Sequence, residues 1–273
     1  MIKKASLFGC GWLGIPLASK LNKMGWEVKG STTSPSKLSL LNSLLESSFV
    51  IDIDNLPEDI GDFLSSEVLI INIPPKLNKR DQPFEFLEKL TFFRKEVQKS
   101  SLVKVLYISS TSVYGENQGK VDEGTVPKPD SVRGEVLLRA EKEVLSWPKK
   151  VTVLRFGGLV GKTRHPSLSL SGKRDLKNGK SPINLIHQED CIEIIIKIIE
   201  KDKWGMTFNG VAPFHPSKQQ YYSEVCKSLS LPLPSYRGSF ISSGKKVCGK
   251  LVEDLLEYKF IHPHLGPSLF ERK

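Results

Sequence analysis

Six residues near the start of the chain limit its possible folds more than any other feature. The run Ala5-Ser6-Leu7-Phe8 ends in Gly9-Cys10-Gly11-Trp12-Leu13-Gly14, and the residues that follow carry Leu17 and Leu21 at helical spacing. G-x-G-x-x-G is a weak signal alone and becomes specific when a strand runs into it and a helix leaves it. In that setting Gly9 makes the tight turn, Gly11 lets the backbone approach a diphosphate, and Gly14 lets the helix pack closely on the strand. The N–H groups of the first helical turn have no intrahelical partner, and together with the helix dipole they attract an anion. Gly9, Cys10, Gly11, Trp12, Leu13 and Gly14 are therefore expected at the phosphates of a dinucleotide. A secretory or lipoprotein leader would also explain Lys3-Lys4, an apolar run and Cys10. The three glycines interrupt such a leader, and Ala5–Gly9 falls short of the ~7–15 apolar residues it needs.

Up to about residue 160, short β-branched runs alternate with helical patterns, which is the signature of βαβ units on a parallel sheet. Strands are expected at Ile2–Phe8, Trp26–Ser31, Ser48–Ile53, Val68–Ile73, Val103–Ser109 and Val151–Phe156, apolar enough to be covered on both faces. Helices are expected at Trp12–Met24, Pro35–Leu45, Gln82–Lys99 and Gly134–Leu145. Beyond residue 160 come loops rich in Ser, Gly, Lys and Pro, a helix at Cys191–Glu200, a strand near Met206–Val211 and a helix around Ser217–Leu229. The fold class is thus α/β, a doubly wound parallel-sheet Rossmann fold with a smaller C-terminal lobe on the substrate side. The expected division is residues 1–161 for the dinucleotide-binding domain, with 184–211 returning to it, and most of 162–273 for the lobe.

Composition narrows the function classes. The formal charge of +10 raises nucleic acid, an anionic membrane or a phosphorylated substrate. The basic residues are scattered and show no aromatic-interleaved stripe, so the expectation is a small-molecule substrate, no nucleic acid and no membrane. The cluster from Lys162 to Arg174 is kept as an anion site. Four separated cysteines without C-x-x-C spacing fit a reducing cytoplasm, and no His/Cys cluster has metal-ligand spacing. Oligomeric state is not legible.

The second expected strand ends G-S-T-T-S-P-S-K, where NAD-binding chains carry an acidic residue for the ribose diol. No carboxylate lies between Gly30 and Lys37. Ser31, Thr32, Thr33 and Lys37 suit a 2′-phosphate, which favours NADP over NAD; the same residues also make an ordinary helix-capping sequence. Asp52 is expected at the adenine amino group, with Asp54 as the competing choice and a turn cap as the structural alternative. Ile73, Pro74 and Pro75 are expected as an apolar wall beside the ribose.

K-V-L-Y-I-S-S-T-S-V-Y-G-E-N-Q-G at 104–119, with the glycine loop, resembles the atypical and extended short-chain dehydrogenase/reductases. V-T-V-L-R-F-G-G-L-V-G at 151–161, N-L-I-H-Q-E-D-C at 184–191 and F-N-G-V-A-P-F-H-P at 208–216 extend the likeness to NAD(P)-dependent epimerase/dehydratase-like members over nearly the whole chain. The resemblance implies an NAD(P)-binding oxidoreductase or epimerase-like enzyme, with a nucleotide sugar as one substrate class. It implies Ser110 at the reacting carbon, with Thr111 beside it, Ser109 at the cofactor and Tyr114 approaching the site. The family's Tyr-x-x-x-Lys is missing: aligned on Ala140-Glu141, Arg133 stands at the tyrosine position and Leu137 at the lysine position, and no tyrosine in the chain has a lysine four residues on. Arg133, Arg164 and His165 are the residues expected at the substrate, while His187 and Asp190 are expected to position the helix that opens at Asp190. Without the tyrosine and lysine, the alternative is a non-catalytic dinucleotide-binding sensor or scaffold.

Overall fold

A computed structural model of the chain describes residues 3–75, 83–238 and 244–271. In chain order its strands are β1 (Lys4–Phe8), β2 (Glu27–Thr32), β3 (Ser47–Val50), β4 (Val68–Ile71), β5 (Lys104–Ser110), β6 (Lys120–Val121), β7 (Lys150–Phe156), β8 (Gly158–Val160), β9 (Leu185–His187), β10 (Thr207–Gly210) and β11 (Lys246–Val247). Its helices are α1 (Gly14–Lys23), α2 (Leu38–Asn42), α3 (Gly61–Leu64), α4 (Glu85–Lys99), α5 (Val132–Leu145), α6 (Pro166–Leu170), α7 (Gln188–Glu200), α8 (Lys218–Ser228) and α9 (Lys250–Leu256). The expected strand and helix starts at Ile2 and Gln82 lie outside the described residues. Among the described residues, no helix is long and apolar enough to cross a membrane.

Seven strands form one sheet in the order β10-β7-β5-β4-β1-β2-β3. The pairs β1–β2, β1–β4, β2–β3 and β4–β5 are parallel. At the far edge, Val153 N–H donates to the Met206 carbonyl and Gly157 N–H to the Gly210 carbonyl; equal steps of four on both strands give a parallel ladder there too. The expectation of a doubly wound parallel α/β sheet holds.

The chain divides into two compact units, 1–109 with 132–154 and 198–207, and 110–131 with 155–197 and 208–273. This division is more interleaved than a boundary at residue 161. Residues 110–131 and 155–161, which leave the carboxyl ends of β5 and β7, group with the C-terminal segments, and of 184–211 only 198–207 belongs to the first unit.

The first unit is built on strands whose residues are buried on both faces, Ala5–Phe8 in β1 and Val68–Ile71 in β4. Phe8, Phe63, Phe93, Tyr107 and Val153 belong to one continuous core with Leu90 and Val97 of α4 and Val136, Ala140 and Val144 of α5. Leu17, Ala18 and Leu21 form the buried stripe of α1, and Pro16 sits within its first turn, where no helical N–H is lost. The second unit has its own core, in which Val160, Ile183 and Leu185 meet Tyr221, Tyr222 and Val225 of α8 and the C-terminal Leu265 and Phe270. Two short parallel ladders, β11–β6 and β8–β9, fasten its segments.

Candidate functional site

The glycine loop is held from two sides. Gly9 has φ of 110°, a left-handed conformation that favours glycine. Its N–H donates to Ser31 Oγ at 3.2 Å, and its carbonyl accepts from Asn72 Nδ2 at 2.9 Å. Cys10 N–H donates to the Ser31 carbonyl at 2.7 Å. The loop is therefore tied to the carboxyl ends of β2 and β4 before any ligand arrives.

The three glycines differ in what a Cβ would meet. On Gly14 it would lie 2.3 Å from the Gly9 carbonyl oxygen, and on Gly9 it would lie 2.7 Å from the Asn72 carbonyl oxygen. Both glycines are needed for the fold itself. On Gly11 a Cβ would meet nothing within 4 Å. Gly11 is thus the glycine whose bareness serves no packing contact in the chain, and it holds the motif position expected to let a diphosphate approach the backbone. This cradle fits a dinucleotide.

Several expected cofactor residues have structural duties. The Cys10 side chain is buried, its thiol pushed up to about 12 by burial, so it contributes backbone and not chemistry to the loop. Leu13 is buried against the core and Trp12 is half-buried. Ser31 is fully buried and accepts from Gly9 N–H, so its hydroxyl braces the loop, while Thr32 Oγ1 accepts from Ser34 N–H and keeps its own proton to donate. Thr33 and Lys37 are exposed, Lys37 ending a 3-10 turn over Pro35–Lys37. Asp52 Oδ1 accepts from Asp54 N–H at 3.1 Å, the turn-cap alternative, while Asp54 pairs with Lys89 at 2.7 Å. After β4, Ile73 is half-buried, Pro74 exposed and Pro75 buried. Ser109 is buried and donates to Glu141 Oε1 at 2.5 Å, so its hydroxyl braces α5 and is corrected from a cofactor contact. Asn72 was missed; a lone polar residue within V-L-I-I-N-I-P-P was the signal available for it.

The expected catalytic residues fall in the second unit. Ser110 Oγ accepts from Ser112 N–H at 3.2 Å and donates to Ser112 Oγ at 3.1 Å, capping the 3-10 turn Thr111–Val113. It is half-buried, whereas Thr111 is buried. Tyr114 is corrected as a catalytic group. It is fully buried, its hydroxyl accepts from Arg155 Nη1 at 2.8 Å and faces the Asp122 carbonyl at 2.7 Å and Asn209 Oδ1 at 3.2 Å. Burial raises its pKa despite the guanidinium beside it. Lys245 adds a 2.5 Å bond to the Tyr114 carbonyl and a 3.1 Å ion pair with Glu116. Arg155, Asn209 and Lys245 went unnoticed because their partners lie 41 to 131 residues away in sequence.

In the first unit Arg133 is exposed near the start of α5, and Leu137 is buried. In the second, Arg164 is exposed on a turn closed by reciprocal backbone bonds with Gly161. His165 is not an exposed loop histidine. It is buried against Phe270, with ring centroids 4.1 Å apart, its Nδ1 accepts Ser167 N–H to cap α6, and burial pulls its pKa down to about 4. A ring so placed is a poor substrate contact, which corrects that expectation. Helix α7 opens at Gln188, two residues before the expected start, and Asp190 is not its cap. Instead its carboxylate accepts from the Tyr258 hydroxyl at 2.6 Å and from the N–H groups of Ile261 and His262 at 2.7 and 3.2 Å. His187, Glu189 and His262 are drawn together there, although sequence spacing showed no metal cluster.

No family model matches the chain. Protein YeeZ of Escherichia coli (strain K12) is 32% identical over 281 residues, covering 97% of this chain and 99% of YeeZ. Among solved structures, MoeE5 in complex with UDP-glucose and NAD superposes with a TM-score of 0.77 at 18% identity, over 98% of this chain and 96% of its own. UDP-glucuronic acid 4-epimerase from Bacillus cereus in complex with NAD gives 0.76 at 23%, over 94% and 91%.

Proposed function

Because the chain belongs to the family of Protein YeeZ and has the fold of the atypical, NAD-dependent epimerase-like short-chain dehydrogenase/reductases, we propose that it binds a nicotinamide dinucleotide on the Gly9–Gly14 loop. We further infer that it acts as an oxidoreductase or epimerase-like enzyme on a small anionic substrate. The observation that carries the binding reading is the contrast among the glycines: two are demanded by packing, and Gly11 is bare where nothing in the chain requires it. Loop amides at Leu13 and Gly14 would hold the diphosphate as it passes over bare Gly11, Ile73-Pro74-Pro75 would flank a ribose, and Asp52 would face the adenine. Bound there, the nicotinamide supplies hydride-transfer chemistry.

The cofactor reading extends to NADP. Among Ser31–Lys37 no carboxylate stands ready for a ribose diol, and Thr33 and Lys37 are exposed to meet a 2′-phosphate. MoeE5 and the Bacillus cereus epimerase were each solved with NAD, so relative affinity is the measurement that decides. A nucleotide sugar is the substrate class suggested by MoeE5 and its UDP-glucose, a warrant from fold alone. Arg164, an exposed cation of the second unit, suits its phosphates or carboxylate, and Arg133 of the first unit is a separate exposed candidate.

A second reading, a dinucleotide-dependent sensor without turnover, is favoured by a specific observation. Leu137 is buried at the family's lysine position, and the Tyr114 hydroxyl is engaged by Arg155, Asp122 and Asn209. The two readings part on turnover across sugar nucleotides and small carbonyls. The enzyme reading expects turnover that Ser110→Ala lowers by about tenfold or more, with cofactor affinity unchanged. Stoichiometric cofactor binding with no turnover across the panel sinks the enzyme reading and leaves the sensor.

A further inference from the structure

We propose that His187, Glu189 and His262 form a binding site for a divalent transition metal, which clamps the C-terminal segment around Tyr258–Leu265 onto the junction of β9 and α7. The donor atoms of the three side chains lie within 4.8 Å of one another. Glu189 Oε2 is 2.6 Å from His262 Nε2 and 4.0 Å from His187 Nδ1, and the two imidazole rings stand 4.0 Å apart, edge to face. Donors around a tetrahedral zinc lie roughly 3.3 Å apart, from metal–ligand lengths near 2.0 Å. Rotation of the exposed Glu189 side chain, together with shifts of the two imidazoles by up to about 1.5 Å, brings the set to that spacing.

The scaffold around these donors is built in advance. His187 ends β9, and Glu189 lies in the first turn of α7. The third ligand comes from 73 residues further on, and its backbone is fixed independently by the Asp190 carboxylate, which accepts from His262 N–H and Ile261 N–H. The other partly or wholly buried histidines have ordinary duties: His165 Nδ1 caps α6, and His215 Nδ1 bonds the Ile183 carbonyl at 2.8 Å. At the present site His187 Nδ1 also accepts from Glu189 N–H, at a long 3.3 Å that a metal would replace, and the two rings face each other across one carboxylate. Two imidazoles and a carboxylate select zinc, cobalt, nickel or copper over magnesium or calcium, which prefer oxygen. Glu189 keeps 59% of its side chain exposed, so water can complete the coordination.

The test uses untagged, chelator-treated full-length protein, titrated calorimetrically with Zn2+ and followed with Co2+ by visible absorption. Binding of one metal per chain, with tetrahedral-type Co2+ bands and a zinc-dependent rise in Tm, is expected. His262→Ala and Glu189→Gln should each weaken binding by about tenfold or more, whereas His264→Ala should not. Glu189→Gln alters an exposed side chain and keeps the fold, so it decides the matter if His262→Ala does not fold. Absence of saturable binding to the wild type, or wild-type binding by Glu189→Gln, would show an ordinary His262–Glu189 ion pair and overturn the proposal.

Discussion

Replacing Gly14 with alanine should destabilise the protein far more than replacing Gly11, although both belong to the same motif. A Cβ on Gly14 would sit 2.3 Å from the Gly9 carbonyl oxygen, where real Cβ contacts begin near 3.0 Å, so that carbonyl must retreat by at least 0.7 Å. The same carbonyl accepts from Asn72 Nδ2 at 2.9 Å and from Gly11 N–H at 3.0 Å, and moving it loosens both bonds. Overpacking of this kind costs about 1–3 kcal/mol, and one weakened hydrogen bond adds about 1 kcal/mol. The helix propensity that alanine gains is at most about 1 kcal/mol and does not offset this. The net cost of about 1–3 kcal/mol, at roughly 2–4 °C per kcal/mol for a chain of this size, lowers Tm by about 2–12 °C. Gly11→Ala meets no atom within 4 Å and its φ lies outside the left-handed range, so it should be neutral or up to about 1 kcal/mol stabilising. Thermal melts of both variants and the wild type provide the measurement. A Gly14→Ala protein melting with the wild type, or a Gly11→Ala protein melting as low as Gly14→Ala, would refute the division of labour among the glycines.

His165 should make the protein acid-sensitive. Its folded pKa is about 4 against an ordinary value of 6.5, so the unfolded chain binds the proton first and stability falls as pH drops from about 6.5 toward 4, being fully present above 6.5. The shift is equivalent to about 3 kcal/mol, and protonation also removes the acceptor that caps α6. Denaturant titrations at pH 7 and pH 4 should show wild type losing more stability than His165→Gln, and parallel losses would contradict the assignment. Lys37→Ala should weaken NADP binding by about tenfold, in keeping with loss of one charge-assisted contact, and leave NAD unchanged. A wild type that prefers NAD strongly would show that G-S-T-T-S-P-S-K is only a capping sequence.

How much was legible follows from which residues speak for themselves. The strands of the large sheet read cleanly because β1, β4, β5 and β7 are covered on both faces, and their apolar runs could serve little else. The glycine loop was equally plain, since strand, turn and helix are consecutive. Helix α9 and the β6–β11 ladder escaped notice: a two-residue pairing of Lys120–Val121 with Lys246–Val247 leaves no periodic trace. Side-chain duties were the least legible. The types and positions of Ser109, Tyr114 and His165 suggested chemistry, whereas Glu141, Arg155 and Phe270, distant in sequence, assign them to bracing and burial. Asp190 was expected to position the helix opening there, whereas His187 Nδ1 accepts from Glu189 N–H at that helix start and Asp190 holds Tyr258, Ile261 and His262.

Binding of a dinucleotide across Gly11 is tested most directly by titrating NADPH and NADH into wild type and Gly11→Val, with circular dichroism recorded on both. A valine there fills space that no protein atom within 4 Å of the Cβ occupies. One dinucleotide per wild-type chain is expected, and loss of binding in a variant with an unchanged spectrum. Undiminished binding by folded Gly11→Val, or a wild type that binds neither dinucleotide, would contradict it.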